Sequence, residues 1–176
     1  MGWTSYPVYG KVNRKKECDR VYTGENDTTK WIVLKSTMVG SVYYAAVMRI
    51  DKETKKSRVF AGVCLTRVEK GEFWYKDMDE SCGPFENKCP NSILKLLSDT
   101  PYEVAKEWRK RCREYNSKPK LGKLPIGTTI EFTRGGETIR ATKISPAYQF
   151  KTPWWTVTGA DYIKKNHIPE DFRVIE

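Results

Sequence analysis

Hydrophobic runs in the first half of the chain alternate with short polar connections, and this pattern predicts an antiparallel meander. The runs are rich in β-branched and aromatic residues, which favour strands. They are WIVLKSTM (31–38), SVYYAAVMRI (41–50), SRVFAGVCLTRV (57–68) and EFWYKDM (72–78). The charged segment DKETKKS (51–57) is typical of a hairpin loop, and Lys70-Gly71-Glu72 of a tight turn. The opening WTSYPVY predicts an edge strand, because Pro7 has no backbone N–H to donate to an inner strand.

Three segments predict helices. Asn13 can cap a short helix over NRKKECDRVY (13–22), and Cys89-Pro90 can start another over NSILKLLS (91–98). The strongest signal is TPYEVAKEWRKRCREY (100–115), in which Thr100 caps, Pro101 takes the first helical position and Glu103 closes a capping box.

A basic stripe is predicted on this third helix. At 100° per residue, one face carries Val104, Trp108, Cys112 and Tyr115. The opposite face carries Lys106, Arg109, Lys110 and Arg113. We therefore expect Trp108 to anchor the helix while the four cations face solvent.

Short strands and tight turns dominate the last fifty residues. The segment NSKPKLGKLP (116–125) has the composition of a linker, and Gly135-Gly136 predicts a hairpin within 127–144. PWWTV and DFRVIE can supply further strands. The pattern predicts an α+β protein: a sheet-and-helix domain over 1–118 and a small SH3-like β module over 124–176. A hairpin added to the first sheet, with both parts packed as one unit, would give a similar pattern.

Net charge is the strongest global signal in the sequence. The chain has 32 Lys and Arg against 22 Asp and Glu, a net charge of +10 and a pI near 9.3. The excess is spread out, since 1–118 hold 23 basic and 16 acidic residues and 119–176 hold 9 and 6. An aromatic content of 12% argues against disorder. A basic folded surface favours anionic partners such as nucleic acid.

Membrane, secretion and disulfide signals are all weak. No apolar run approaches the length of a membrane span, and the first residues lack the pattern of a signal peptide. The five cysteines are an odd number at wide spacings, which favours reduced thiols. They are Cys18, Cys64, Cys82, Cys89 and Cys112. We expect a cytoplasmic protein.

The segment YKDMDESCGPFENKCP (75–90) carries the residues most suggestive of chemistry. A zinc site is disfavoured because Cys82 and Cys89 have no second close pair of ligands. Asp77, Asp79 and Glu80 could hold magnesium, but no phosphate-binding glycine motif accompanies them. Cys82 as a nucleophile would need the distant His167 as its base. The residues favour a structured turn, and we predict no enzyme activity, cofactor or metal.

Six motifs run nearly end to end along the chain: MGWTSY, VGSVYYAAV, YKDMDESCGP followed by CP, AKEWRKRC, LPIGTTIEF and SPAYQFKTPWW. Together they resemble a family of small, functionally uncharacterised proteins from phages, plasmids and conjugative elements of Firmicutes and other gut bacteria. The resemblance implies a mobile genetic element in a bacterial host. Such elements often carry counter-defence proteins, including inhibitors of restriction and CRISPR nucleases.

Binding to nucleic acid, or to a protein that holds it, is the first functional hypothesis. The basic stripe would contact phosphates, and AYQFKTPWWTV (147–157) mixes aromatic and basic residues as single-strand platforms do. The binding residues predicted from this segment are Tyr148, Lys151, Trp154 and Trp155. The alternative is an anti-CRISPR or anti-restriction inhibitor, whose acids Asp77, Asp79 and Glu80 could imitate phosphates. A magnesium-dependent enzyme that uses the same three acids is the third hypothesis.

Overall fold

The computed structural model describes residues 2–83, 86–144, 149–151, 162–164 and 167–175, and it confirms the α+β class. The chain divides into two compact units, Met1–Ser117 and Lys118–Glu176. The boundary falls in the segment whose Pro, Gly and Lys content is typical of a linker.

The N-terminal unit is built on a six-stranded antiparallel sheet. Four long strands follow one another as a meander, as the hydrophobic runs predict. They are β3 (Thr29–Val39), β4 (Val42–Asp51), β5 (Ser57–Glu69) and β6 (Glu72–Asp79). The short strands β1 (Thr4–Pro7) and β2 (Gly24–Glu25) complete the order β1-β6-β5-β4-β3-β2. Pro7 therefore lies on an edge strand.

Both faces of this sheet are covered, which explains the nearly unbroken apolar run of β4. Side chains alternate across a strand, so Tyr43, Ala45 and Val47 lie on one face and Val42, Tyr44 and Ala46 on the other. The first set packs with Cys18 of α1 (Arg14–Val21). The second set packs with buried residues of α2 (Asn91–Leu94) and α3 (Glu103–Ser117).

Helix α1 forms as predicted, with the Asn13 side chain accepting a hydrogen bond from the Lys16 N–H. It is held to the sheet by Tyr22, whose hydroxyl lies 2.7 Å from the Val63 carbonyl oxygen and accepts from the Met78 N–H at 3.0 Å. The opposing position is Gly62, where an added Cβ would lie 2.8 Å from the Tyr22 ring. A side chain at position 62 would therefore displace the residue that anchors α1.

Helix α3 begins three residues later than the predicted cap at Thr100. The predicted capping box is wrong, because the Glu103 carboxylate binds the Lys106 ammonium at 2.6 Å. Thr100 Oγ1 accepts from the Tyr102 N–H, outside the helix, and from Arg58 Nη2.

Within the described part of the chain, no helix is long and apolar enough to cross a bilayer.

The C-terminal unit contains a five-stranded antiparallel sheet of order β10-β9-β8-β7-β11. The hairpin predicted at Gly135-Gly136 is confirmed, and both glycines have positive φ, at 60° and 85°. The strands are β7 (Thr129–Arg134), β8 (Glu137–Lys143), β9 (Gln149–Lys151), β10 (Tyr162–Lys164) and β11 (Arg173–Val174). The strand proposed at 153–157 lies outside the described residues. Of the strand proposed over DFRVIE, β11 is present.

The core of this unit is mostly aliphatic and includes Ile130, Phe132, Ile139 and Ala141. Next to it, the buried Lys143 ammonium donates to the Leu124 carbonyl oxygen at 2.5 Å. This contact fixes the segment after the short 3₁₀ turn Leu121–Lys123 to strand β8.

Candidate nucleic-acid interface

The buried side of α3 differs from the predicted one at a critical position. Its buried residues are Ala105, Trp108, Arg109 and Cys112, which follow the i, i+3, i+4, i+7 spacing of a core-facing helix. Val104, which the helical wheel places on the buried face, is 50% exposed. Arg109, which the wheel places in the basic stripe, is only 6% exposed. The predicted stripe of four solvent-facing cations is therefore wrong at Arg109.

Arg109 forms a buried bidentate ion pair with Glu80. Its Nε and Nη2 atoms each lie 2.6 Å from a carboxylate oxygen, and its Nη1 donates to the Ser98 carbonyl oxygen at 2.7 Å. Glu80 is 1% exposed. The pair ties the end of β6 to α3, so neither Arg109 nor Glu80 is accessible to a phosphate, a metal or a partner.

The segment after β6 folds as a turn that is organised by Asp79. Its Oδ1 atom accepts from the Ser81 N–H at 2.7 Å, from the Ser81 hydroxyl, and from the Cys82 thiol at 3.6 Å. Asp77, two residues before Asp79 on β6, is exposed. Among the described residues, no group of three or more His, Cys, Asp or Glu side chains is arranged to hold a metal ion. A magnesium site formed by Asp77, Asp79 and Glu80 is not supported, because the Glu80 carboxylate is buried in its ion pair with Arg109.

The five cysteines are all free, and Cys82 alone among them is exposed. Burial raises the pKa of Cys112 to about 11 and raises that of Cys89 further. These two thiols therefore stay protonated and unreactive at neutral pH. His167, the base that a Cys82 nucleophile would need, belongs to the C-terminal unit, so the absence of such a pair stays a prediction.

Two cations of the predicted stripe remain available on α3. Lys106 is exposed but paired with Glu103. Lys110 and Arg113 are exposed, and neither forms a hydrogen bond or ion pair within the described part of the chain. They lie one turn apart on the same side of α3.

A third cation, Lys95, lies directly after the last residue of α2. Lys95 and Arg113 line the same shallow pocket of about 340 Å³, together with Asn91 and Leu94. Lys95 is also exposed and has no ion-pair partner among the described residues. We call Lys95, Lys110 and Arg113 the α2–α3 patch.

The two helices that carry the patch are fixed to each other and to the sheet. Ile93 and Leu94 of α2 share one core cluster with Trp108 and Cys112 of α3. The Asn116 side chain of α3 donates to the Cys89 carbonyl oxygen at 2.7 Å, next to the start of α2. The patch therefore presents its charges from a rigid support. Only part of it could be predicted, because Lys95 follows a four-residue helix whose packing on α3 has no local sequence signal.

Of the four binding residues predicted in the aromatic segment 147–157, the structure describes only Lys151. Lys151 lies on β9, paired in register with Tyr162 and Thr142. Tyr148, Trp154 and Trp155 lie outside the described residues, so their role in binding stays a prediction.

Comparison with known proteins gives no family assignment. A scan against protein-family models found no match, and searches of curated proteins and of solved structures found none either.

Proposed function

We propose that this protein binds nucleic acid, or a protein that holds nucleic acid, through the α2–α3 patch and without catalysis. One observation carries the proposal: Lys95 and Arg113 line one pocket, Lys110 lies one turn from Arg113 on α3, and none of the three has a carboxylate partner among the described residues. Unpaired lysine and arginine on a rigid support can neutralise phosphates without first breaking an internal ion pair. The net charge of +10 adds a long-range attraction for any polyanion.

Such binding should depend strongly on salt and weakly on sequence. If all three cations contact phosphates of a duplex, log K should fall with log salt at a slope of about −2.7, or roughly fortyfold between 50 and 200 mM. Phosphate contacts position a protein on nucleic acid but do not read bases.

The test is fluorescence anisotropy of labelled single-stranded and duplex 30-mers at these two salt concentrations. The Lys110→Gln/Arg113→Gln variant should bind at least tenfold more weakly and reduce the salt slope by nearly two. A matched control removes two other exposed cations, in Lys16→Gln/Lys56→Gln, and should bind within about twofold of the unaltered protein. Equal losses in the two variants would reduce the proposal to a general charge effect. No binding at 50 mM salt would refute it.

An inhibitor of a host defence nuclease remains the second proposal, and it rests on the resemblance to proteins of mobile elements. It would use the same patch on a guide-loaded nuclease. Imitation of phosphates by Asp77, Asp79 and Glu80 is not proposed further, because Glu80 is buried against Arg109. Cleavage assays with the loaded nuclease separate this activity from direct binding to nucleic acid.

Two finer assignments accompany the proposal. We place the protein in the bacterial cytoplasm, where a mobile-element protein would meet nucleic acid. We also assign the C-terminal unit to the small SH3-like β modules, supported by its five short antiparallel strands. An experimental structure of the full chain would test the second assignment.

A further inference from the structure

A groove lies on the α1-facing side of the N-terminal sheet, near the ends of β3, β4 and β5. It consists of two adjoining cavities of about 250 and 550 Å³ that share Trp31, Phe60 and Asp79 as lining residues. This size lies within the range of small-molecule sites. The groove has no residue in common with the α2–α3 patch.

Strand register explains why the groove has an aromatic floor beside two arginines. Trp31 of β3 pairs with Arg49 of β4, which in turn pairs with Arg58 of β5, so the three side chains form one row across the sheet. Phe60 lies two positions after Arg58 and therefore on the same face. Trp31 and Phe60 are both half-buried, which fixes their rings while leaving part of each open.

The two arginines are directly opposite each other, an arrangement that is destabilising for like charges. Within the described residues, neither forms an ion pair. Arg58 donates to Thr100 Oγ1 at 3.0 Å and lies over the Tyr102 ring, while its Nε atom has no partner among those residues. Arg49 is exposed.

The carboxylates that line the smaller cavity beside the two arginines are engaged by other groups, and the exposed Asp77 lines only the larger cavity. Glu80 lines the smaller cavity but binds Arg109, and Asp79 accepts hydrogen bonds within its own turn. Hydrogen bonds from Thr54 chiefly lower the pKa of Asp51, with a smaller contribution from Arg49, yet Asp51 forms no ion pair with Arg49 among the described residues. Neither arginine therefore has its charge balanced by a direct ion pair among the described residues.

We propose that this groove binds a nucleoside monophosphate unit, with its phosphate between Arg49 and Arg58 and its base on Trp31 and Phe60. Guanidinium groups bind phosphate through paired hydrogen bonds, and aromatic rings stack on the flat face of any base. The unit is either a free nucleotide or the 5′-phosphorylated end of a strand. This inference goes beyond the proposed function and does not depend on it.

The first measurement is calorimetric titration of the full chain with adenosine 5′-monophosphate. Adenosine lacks the phosphate and ribose 5-phosphate lacks the base, so both should bind at least tenfold more weakly. Equal affinity for ribose 5-phosphate would overturn the aromatic part of the proposal. Equal affinity for adenosine would overturn the arginine part.

Cys82 locates the site, because it is exposed and lines the larger cavity. Saturating adenosine 5′-monophosphate should slow alkylation of Cys82 by iodoacetamide several-fold, as measured by mass spectrometry. The four buried cysteines serve as an internal reference for unfolding. Binding with an unchanged rate at Cys82 would mean that the nucleotide lies elsewhere.

A charge variant completes the test. Arg49→Gln should weaken the titration at least tenfold while leaving the circular dichroism spectrum unchanged, because Arg49 is exposed and has no ion pair within the described residues. Lys30→Gln removes an exposed cation from the opposite face of the same sheet and should have no effect. Equal affinity of Arg49→Gln and the unaltered protein would refute the site.

A 5′-phosphorylated dinucleotide distinguishes the two sources of the ligand. Protection of Cys82 by the dinucleotide, together with neither binding nor protection by the mononucleotide, would support the end of a strand, and protection by both would support a free nucleotide as well. Protection by neither at millimolar concentration would overturn the proposal. Lys110→Gln/Arg113→Gln should leave this protection intact, so failure of the groove and failure of the α2–α3 patch are separately visible.

Discussion

A buried glutamate bound to arginine occurs in each unit, but the two arrangements differ in how much of the arginine is buried. Glu80 is 1% exposed and its partner Arg109 is 6% exposed, so both charges have left water. Glu131 is 7% exposed, whereas the side chains of its partners Arg140 and Arg173 are 65% and 73% exposed. In the first case water hydrates neither charge, so the Glu80 carboxylate depends on Arg109 for its stabilisation. In the second case the solvent still hydrates the arginines, and each arginine can substitute in part for the other.

The largest expected effect comes from removing the arginine of the fully buried pair. Arg109→Met should lower the free energy of unfolding by about 3–5 kcal/mol, because Glu80 would remain as a buried charge without a partner. Urea denaturation of the full chain, followed by the fluorescence of the tryptophans, measures the loss.

Arg113→Met is the matched control for this variant, since it makes the same change four residues along the same helix at an exposed position. It should change the free energy by about 0.5 kcal/mol or less. Similar losses in the two variants would mean that the helix, and not the ion pair, is sensitive to the substitution.

Removal of both buried charges should be far less harmful than removal of one. Glu80→Leu/Arg109→Met replaces the ion pair with apolar groups, and such replacements are often neutral or stabilising. We expect the double variant to recover most of the stability that Arg109→Met loses. A double variant as unstable as the single one would show that the hydrogen bond from Arg109 to the Ser98 carbonyl oxygen carries the effect instead.

In the C-terminal unit, single arginine substitutions should cost less and should not be additive. Arg140→Met or Arg173→Met should each lower the free energy of unfolding by about 1 kcal/mol or less, because Glu131 keeps one partner. The double variant leaves Glu131 unpaired and should lose more than the sum of the two singles. Strict additivity would mean that the two arginines act independently of their shared carboxylate.

The contrast between Arg109 and Arg113 also marks the limit of what the sequence could predict. Local signals worked where one segment contains all of the information: the Asn13 cap of α1, the alternating runs of β3 to β6 and the Gly135-Gly136 turn. The partner of Arg109 lies 29 residues away at the end of β6. A helical wheel places Arg109 only 100° from Trp108, so the position borders the buried face and only tertiary contact decides its environment.

The candidate sites were less predictable than the fold for the same reason. Lys110 and Arg113 follow from helical periodicity, but Lys95 joins them only because α2 packs on α3. The row of Trp31, Arg49 and Arg58 requires the register of three strands, and one residue of slippage would move a side chain to the opposite face. Propensity and alternation predict that the strands exist, and not which residues lie side by side.

The smallest expected effect is the loss of stability at acidic pH that comes from protonation of Glu131, the glutamate of the more exposed ion pair. Hydrogen bonds from Arg140 and then Arg173 lower the pKa of Glu131 below its ordinary value of about 4.5. A carboxylate with a lowered folded-state pKa stabilises the fold above its unfolded pKa, and this contribution is lost as the pH falls through the folded value. Stability of the C-terminal unit should therefore decline below about pH 4.5.

Other carboxylates also titrate in this range, so the variant Glu131→Gln is needed to isolate the contribution of Glu131. One of them is Asp19: burial acts to raise its pKa, but hydrogen bonds from Lys15, Ser36 and Tyr43 outweigh burial and lower it. The measurement is thermal unfolding of the full chain and of Glu131→Gln between pH 6 and pH 3. The difference in Tm between the two proteins should be largest at pH 6 and should shrink as the pH falls, because protonated Glu131 and the glutamine that replaces it are both neutral. A constant difference would mean that Glu131 stabilises the sheet by packing, and its resemblance to the Glu80 pair would then be one of geometry and not of charge.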